Sequence, residues 1–333
     1  MSTIIDIYCH IYPDRFFQEM NRVAPNLSNI GQRLRGIKKL FDLDMRFKEM
    51  DEFGDYRQII SLPNPAIEDI ARPDVGLQLA RIANDSMAEL CRKYPERFPS
   101  FAAALCLTDV DGSTKEARRA IKDLGARGVL IYTNVAGEPL DQPKFEPLFK
   151  LMAELDLPIW LHPAGTAAMP DYPAEKKSRY EMWWCLHWPY ETSVAMMRMV
   201  FNGLLDRYPK LKVITHHLGG MIPYFEGRAG NGMKVLGART SDEDYSKIIP
   251  SLKRPHMDYL HDFYADTAMF GGGVPATRCG YEFFGADRVV FATDTPLGPI
   301  APTIETIKGL GLSPTDERKL FCGNAETLLK MSF

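Results

Sequence analysis

The order of apolar runs in this sequence predicts an α/β chain folded as a (β/α)8 TIM barrel with long βα-loop insertions. Three observations predict it. Eight short apolar runs of strand length alternate with segments of helical period along the 333 residues, the pattern of a parallel sheet with helices outside it. Several of the runs end on histidine or aspartate, where a barrel presents its chemistry. No GxGxxG follows the first run, so the rival fold, an open doubly wound sheet, has little support as a dinucleotide binder. No internal repeat or low-complexity linker divides the chain, and residues 1–333 are read as one domain.

Ile4 to Cys9 is an apolar run that stops on polar residues and Pro13, and reads as strand one. Residues 14–41 show no clean period. Leu43 to Phe53 is helical, and Gly54 stops it. Arg57 to Leu62 is strand two, closed by Pro63-Asn64-Pro65. Val75 to Tyr94 is a long amphipathic helix with Leu77, Leu79, Ile82, Met87, Leu90 and Cys91 on its apolar side. Phe101 to Leu107 is continuously apolar, as a strand covered on both faces should be. Asp109 to Leu124 is helical with Gly125 as C-cap. Strand four is Gly128 to Tyr132, the next helix Pro143 to Leu155, and strand five Leu157 to His162. Residues 163–188 interrupt the alternation with prolines and aromatics, a length that marks a functional loop or one with small elements of its own. From Glu191 the helical period returns through Val194, Met197, Phe201, Leu204 and Tyr208. Leu211 to Thr215 is strand six, residues 221–257 a charged excursion, Asp262 to Asp266 strand seven and Arg288 to Thr293 strand eight. Pro302 to Leu310 and Thr315 to Met331 are the closing helices.

Composition narrows the function. Hydrophobic residues are 45% and charged residues 25%, a globular balance. A net charge of −3 offers no basic surface for nucleic acid. No apolar run reaches the ~18 residues of a membrane span, and the start lacks the basic and apolar regions of a signal peptide. The six cysteines are scattered without a CxxC pair, so reduced thiols and a cytoplasmic location are expected.

Of the seven histidines, His10, His162, His216 and His217 directly follow predicted strands, and Asp294 follows strand eight. In a barrel these residues converge at one end. Neutral imidazoles with one carboxylate make a divalent-metal site that keeps an open position. His10, His162 and Asp294 are the expected ligands, and His217 the group that moves a proton. Strand alternation puts Tyr8 with His10 and turns Cys9 away into the core.

Asp6-x-x-x-His10-x-x-Pro13, Leu161-His162-Pro163, Trp188-Pro-Tyr-Glu-Thr192, Arg207-Tyr-Pro through His217-Leu-Gly, Ala292-Thr-Asp294-x-Pro296 and Gly323-Asn-Ala325 together resemble the amidohydrolase superfamily. More narrowly they are similar to its decarboxylase-rich branch, that of aminocarboxymuconate-semialdehyde and γ-resorcylate decarboxylases. The resemblance implies one divalent metal ion, Zn²⁺ first and Mn²⁺ as the alternative. Its ligands would match His10, His162 and Asp294, with His217 and Asp294 as catalytic residues. The family pattern has His or Glu two residues before His10, where this chain has Tyr8. A three-ligand site, Tyr8 as an unusual ligand or proton donor, and a weakened or lost metal are the three readings; the first is preferred.

Trp184, Trp188 and Tyr190, with Trp183, can wall an aromatic substrate, or equally pack a loop against the barrel. Arg228 can clamp a carboxylate, although a surface role is commoner for such a residue. Arg46 and Arg57 are expected to be surface charges or salt-bridge partners, Asp266 a structural hydrogen-bond acceptor, and His216 a residue that packs or supports the ligands from behind and is not itself a ligand. The expected activity is metal-dependent, non-oxidative decarboxylation of a hydroxylated aromatic or related unsaturated carboxylic acid. The alternatives are a hydrolase or hydratase in which the metal activates water, and a non-catalytic homologue without metal. The expected partner is a small-molecule acid, with no nucleic acid or membrane, and the chain is expected to form a homo-oligomer, a dimer first.

Overall fold

In the computed structural model, which describes residues 3–333, every inter-strand pairing of the barrel is parallel. We number its strands β1 Ile4–His10, β2 Tyr56–Ser61, β3 Ser100–Phe101, β4 Val129–Tyr132, β5 Pro158–His162, β6 Lys212–Thr215, β7 Tyr264–Asp266 and β8 Val289–Val290. β1, β2 and β3 form one ladder and β4 to β8 another. The Ala103–Val129 bridge joins the two on one side. On the other, Ile7 N–H donates to Phe291 O (3.0 Å), Asp294 N–H to Tyr8 O (3.1 Å) and His10 N–H to Thr295 O (2.8 Å). These bonds close the ring, so that among the described residues the barrel has no free edge.

Alternation along each strand sorts side chains into two cores. Leu130 and Tyr132 of β4, Trp160 of β5, Ile214 of β6 and Val290 and Ala292 at β8 fill the barrel interior. Val129, Ile131, Ile159, Leu161, Val213, Val289 and Phe291 face outward beneath the helices. Trp160 is the largest fully buried side chain, and its indole N–H reaches across the barrel to Ile7 O (2.9 Å). It forms the floor under the histidines. The register of β1 against β2 shifts between Asp6 and Cys9, and this bulge places both Ile7 and Tyr8 in the interior.

Several of the expected elements differ from those observed. The apolar run Phe101–Leu107 is regular strand only at Ser100–Phe101. Beyond it, Asn84 bonds both N–H and C=O of Ala104, and Ser113 those of Cys106. Flanking helices Pro73–Lys93 and Val110–Asp123 thus satisfy backbone that a neighbouring strand would otherwise pair. The last helix breaks into Pro314–Arg318, a π-helical turn Lys319–Gly323 and Asn324–Leu329. Asp262 ends the helix His256–Asp262 instead of starting β7.

The long insertions follow β1, β5 and β6. The first contains helices Asp14–Val23, Ile30–Arg35 and Leu43–Met50, and the second a single turn Met182–Cys185 before the helix His187–Phe201. Among the described residues no helix is long and apolar enough to cross a membrane.

Candidate metal centre and active site

The strand ends deliver four imidazoles and two carboxylates to one buried cluster. His10 ends β1, His162 ends β5, His216 and His217 follow β6, Asp266 ends β7 and Asp294 lies four residues past β8. His10 Nε2 lies 2.9 Å from Asp294 Oδ1. His216 Nε2 lies 3.9 Å from the same oxygen. Ring centroids of His10 and His162 are 5.5 Å apart, and those of His162 and His216 are 5.2 Å apart.

Each of three imidazoles is oriented through its Nδ1. His10 Nδ1–H donates to Leu62 O (3.1 Å), His162 Nδ1–H to Pro163 O (2.7 Å) and His216 Nδ1–H to Asp266 Oδ2 (2.6 Å). Nε2 is left as the lone-pair atom in all three, the tautomer that a metal requires. Burial pushes His10 down to about 4 and, helped by the charge of His10, His162 down to about 3. His216 and His217 are also held well below the usual imidazole range by burial. Burial raises Asp266 to about 6 and Asp294 well above the ordinary carboxylate value, with Asp266 adding repulsion to the latter.

The strongest structural test of metal fit is the set of atoms left over. Among the described residues, Tyr8 Oη, His10 Nε2, His216 Nε2, His217 Nδ1 and Asp294 Oδ1 are buried without a hydrogen-bond partner. So many orphaned acceptors in one place is rare in a native interior. Donor atoms of His216, His217 and Asp294 all lie within 4.8 Å of one another. A divalent ion beside Asp294 would satisfy several of these atoms, and the cluster fits one.

Backbone strain and close approach hold the geometry. His217 and Asp294 sit at φ of 54° and 64°, a region that non-glycine residues avoid and that recurs at functional sites. The turn after Asp294 folds back so closely that a Cβ on Gly298 would lie 2.0 Å from Thr293 O. Asp6 accepts from Thr293 N–H (3.1 Å) and Oγ1 (2.5 Å), and from the Tyr56 hydroxyl, tying β1 to the approach to Asp294.

A cavity of about 450 Å³ opens from the cluster. Asp294 is at its inner end, with Trp183, Trp184, Trp188, Phe270 and Leu297 on the walls, and it is also lined by the cations Arg33, Lys177 and Arg179. Trp188 sits edge-on to His162 (5.6 Å between centroids), and Phe270 faces His217 (6.5 Å). The insertions after β1 and β5 supply most of this lining. Glu191 fixes the β5 loop: its carboxylate accepts from Ala164 N–H (3.1 Å), Gly165 N–H (2.5 Å) and Asn134 Nδ2 (2.9 Å). Trp188 Nε1–H then donates to Gly165 O (2.8 Å).

Trp184 and Trp188 are thus at the pocket, whereas Tyr190 lines a second cavity with Glu191 and Arg198. Arg228 is a correction: it is exposed on the short helix Glu226–Ala229 and lines neither of these cavities. Arg46 is a second correction. It is 2% exposed and donates to His10 O (2.6 Å) and Gln58 Oε1 (2.7 Å), bracing the end of β1 from behind instead of lying on the surface. Tyr8 is fully buried, and burial followed by the charge of Asp266 holds its phenol well above its ordinary value. A neutral phenol is a poor ligand. His216, expected to pack or to support the ligands, stands inside the cluster against Asp266. Its signal was available: period-two alternation from Ile214 puts His216 on the inward face.

A barrel with imidazoles and a carboxylate at the C-terminal ends of its strands defines a class, the metal-assisted hydrolases and lyases. Residues 5–331 match the amidohydrolase family model, and the chain belongs to that family. It is 31% identical over 305 residues to γ-resorcylate decarboxylase of Polaromonas sp. JS666, covering 88% of this chain and 89% of the relative. It is 29% identical over 294 residues to 2-amino-3-carboxymuconate-6-semialdehyde decarboxylase of Dictyostelium discoideum, covering 86% and 76%. The branch implied by the motifs is therefore present among its relatives. The fold superposes with a TM-score of 0.79 on a dihydroxybenzoic acid decarboxylase of Polaromonas sp. JS666 solved with manganese and the inhibitor 2-nitroresorcinol, at 27% identity over 99% of this chain and 97% of the other.

Proposed function

We propose that the chain is a metal-dependent, non-oxidative decarboxylase of a hydroxylated aromatic or related unsaturated carboxylic acid. One observation carries this reading: the cavity is walled by indole and phenyl rings, carries cations, and ends on the carboxylate of the imidazole cluster. Its volume suits a single-ring acid. The decarboxylase relatives, and the aromatic inhibitor bound by one of them, support it.

His10, His162 and Asp294 would hold the ion, which when bound supplies Lewis-acid charge that offsets negative charge developing on the substrate oxygens. Trp184 and Trp188 flank the ring, and the loop pinned by Glu191 sets the position of Trp188. As the bond between ring and carboxylate breaks, its electron pair stays on the ring carbon and carbon dioxide leaves. A proton from His217 or Asp294 replaces it, so no oxidant is needed. The manganese of the Polaromonas enzyme supports Mn²⁺ over Zn²⁺, and elemental analysis of purified protein decides between them.

The six free cysteines support a reducing, cytoplasmic setting. The exposed Tyr172, Tyr180, Leu186 and Tyr190 support a homodimeric contact, which light scattering measures. We read the whole chain as one domain, since β1 bonds to the β8 segment.

The test is carbon dioxide release from a panel of hydroxybenzoates, including 2,6-dihydroxybenzoate, with and without chelator. Release that the chelator abolishes is expected. Turnover of none of the panel by metal-replete protein, or oxygen-18 from water appearing in a hydrolysed product, would overturn the proposal.

A further inference from the structure

His216 has a structural role to one side and nothing on the other. Its Nδ1–H is committed to Asp266, 2.6 Å away. Its Nε2 is buried with no hydrogen-bond partner among the described residues and points toward Asp294 Oδ1, 3.9 Å away. A histidine kept only for packing would have both nitrogens satisfied or one in water. Asp294 Oδ1 is itself unpartnered and approached by His10 Nε2 at 2.9 Å. Two donors on one ion at metal–ligand distances of about 2.0–2.2 Å cannot lie more than about 4.2 Å apart. The 3.9 Å separation of His216 Nε2 and Asp294 Oδ1 meets that limit before any ion draws them together.

Tyr8 explains why the imidazole stays there. Its ring stacks on His216 with centroids 4.3 Å apart and planes 18° from parallel. Its hydroxyl oxygen is buried and makes no hydrogen bond among the described residues. Tyr8 therefore fixes the plane of His216 from one face while Asp266 fixes its rotation from the edge.

We propose that His216 is a direct donor to the metal centre, supplying from the end of β6 the donor that position 8 does not, with Tyr8 as its positioning residue. The donor set becomes His10, His162, His216 and Asp294, and His217 stays free to move a proton. The proposal rests on the metal-dependent reading above and extends it.

The experiment uses the full chain, stripped with chelator and titrated with Co²⁺ or Mn²⁺, reading visible absorption, electron paramagnetic resonance and metal content without any substrate. Changes that only disturb the partner of a ligating histidine cost 10–100-fold in affinity, so His216→Ala should weaken binding by about 100-fold or more. Tyr8→Glu placed on His216→Ala should recover much of that loss, because it brings a carboxylate to the face His216 vacates. Pulsed resonance on the Cu²⁺-loaded chain should count three bound imidazoles in the wild type and still three in His217→Ala, and this readout holds even where His216→Ala does not fold. Wild-type affinity in a folded His216→Ala chain, or a count of two imidazoles, overturns the assignment. A chain that binds one ion through three imidazoles but decarboxylates nothing upholds the assignment and removes only the proposed reaction. A wild-type chain with no affinity for any divalent ion removes both.

Discussion

Replacing Glu191 by alanine tests how the pocket wall is held. The carboxylate accepts three hydrogen bonds, from Ala164 N–H, Gly165 N–H and Asn134 Nδ2. Bonds to a charged acceptor contribute about 1.5–3 kcal/mol each. Ala164 and Asn134 are partly accessible, so water refills much of what they lose. The Gly165 N–H is buried, and its bond is lost in full. A net destabilisation of about 3 kcal/mol follows, which lowers Tm by roughly 5 °C in a chain of this size. The functional effect runs through the same peptide. Gly165 O holds the Trp188 indole at 2.8 Å, so a loosened Gly165 frees a wall of the pocket. KM for the acid substrate should rise about tenfold with a smaller change in kcat, as expected when binding shared by ground and transition states is lost. Glu191→Gln keeps the shape and should show about half the effect. Calorimetry and steady-state kinetics measure both quantities. A Glu191→Ala chain with an unchanged Tm and unchanged KM would refute the argument that this carboxylate anchors the loop.

Three further outcomes are expected. His162→Ala and Asp294→Ala should each abolish metal binding and activity, and full activity in both variants would remove the site assignment. Gly298→Ala adds a Cβ 2.0 Å from Thr293 O and must displace the turn that carries Asp294; kcat should fall about 100-fold while circular dichroism stays native. Glu68, whose Oε2 is buried without a partner among the described residues, is pushed by burial from its ordinary 4.5 up to about 8. Its folded-state value is raised, so its contribution to stability is full below 4.5 and is lost as pH rises through 8. Urea midpoints should therefore fall across that window in the wild type and fall less in Glu68→Gln.

The barrel was legible because parallel strands covered on both faces leave apolar runs, and because helices between them keep their own period. Strand ends were legible for the same reason, and in a barrel they bring His10, His162, His217 and Asp294 to one place. Boundaries were less legible where side chains substitute for strand partners, as Asn84 and Ser113 do along the β3 run. The place of His216 was partly legible, since alternation from Ile214 turns it inward, whereas its bond to Asp266 needs β6 and β7 side by side. The pocket lining was the least legible part. Arg33, Trp183 and Phe270 come from insertions after different strands, and only the closed barrel makes them neighbours. Arg46 looked like any charged residue in a helix, since the sequence does not show that Gln58 and the His10 carbonyl wait beneath it.

The closure of β1 onto the β8 segment orders events in time. Asp6 bonds Thr293 across 287 positions of chain, and His10 meets Asp294 at the same seam. Contacts this distant form late in folding, because the intervening loop must close first. On a ribosome, a nascent chain that has already made β1 through β6 still lacks the carboxylate of its own centre. If Asp294 holds the ion as proposed, metal capture waits for a nearly finished molecule, and a chain cut short before Asp294 lacks both the closing seam and that donor. Occupancy by the ion would then report on completion of synthesis.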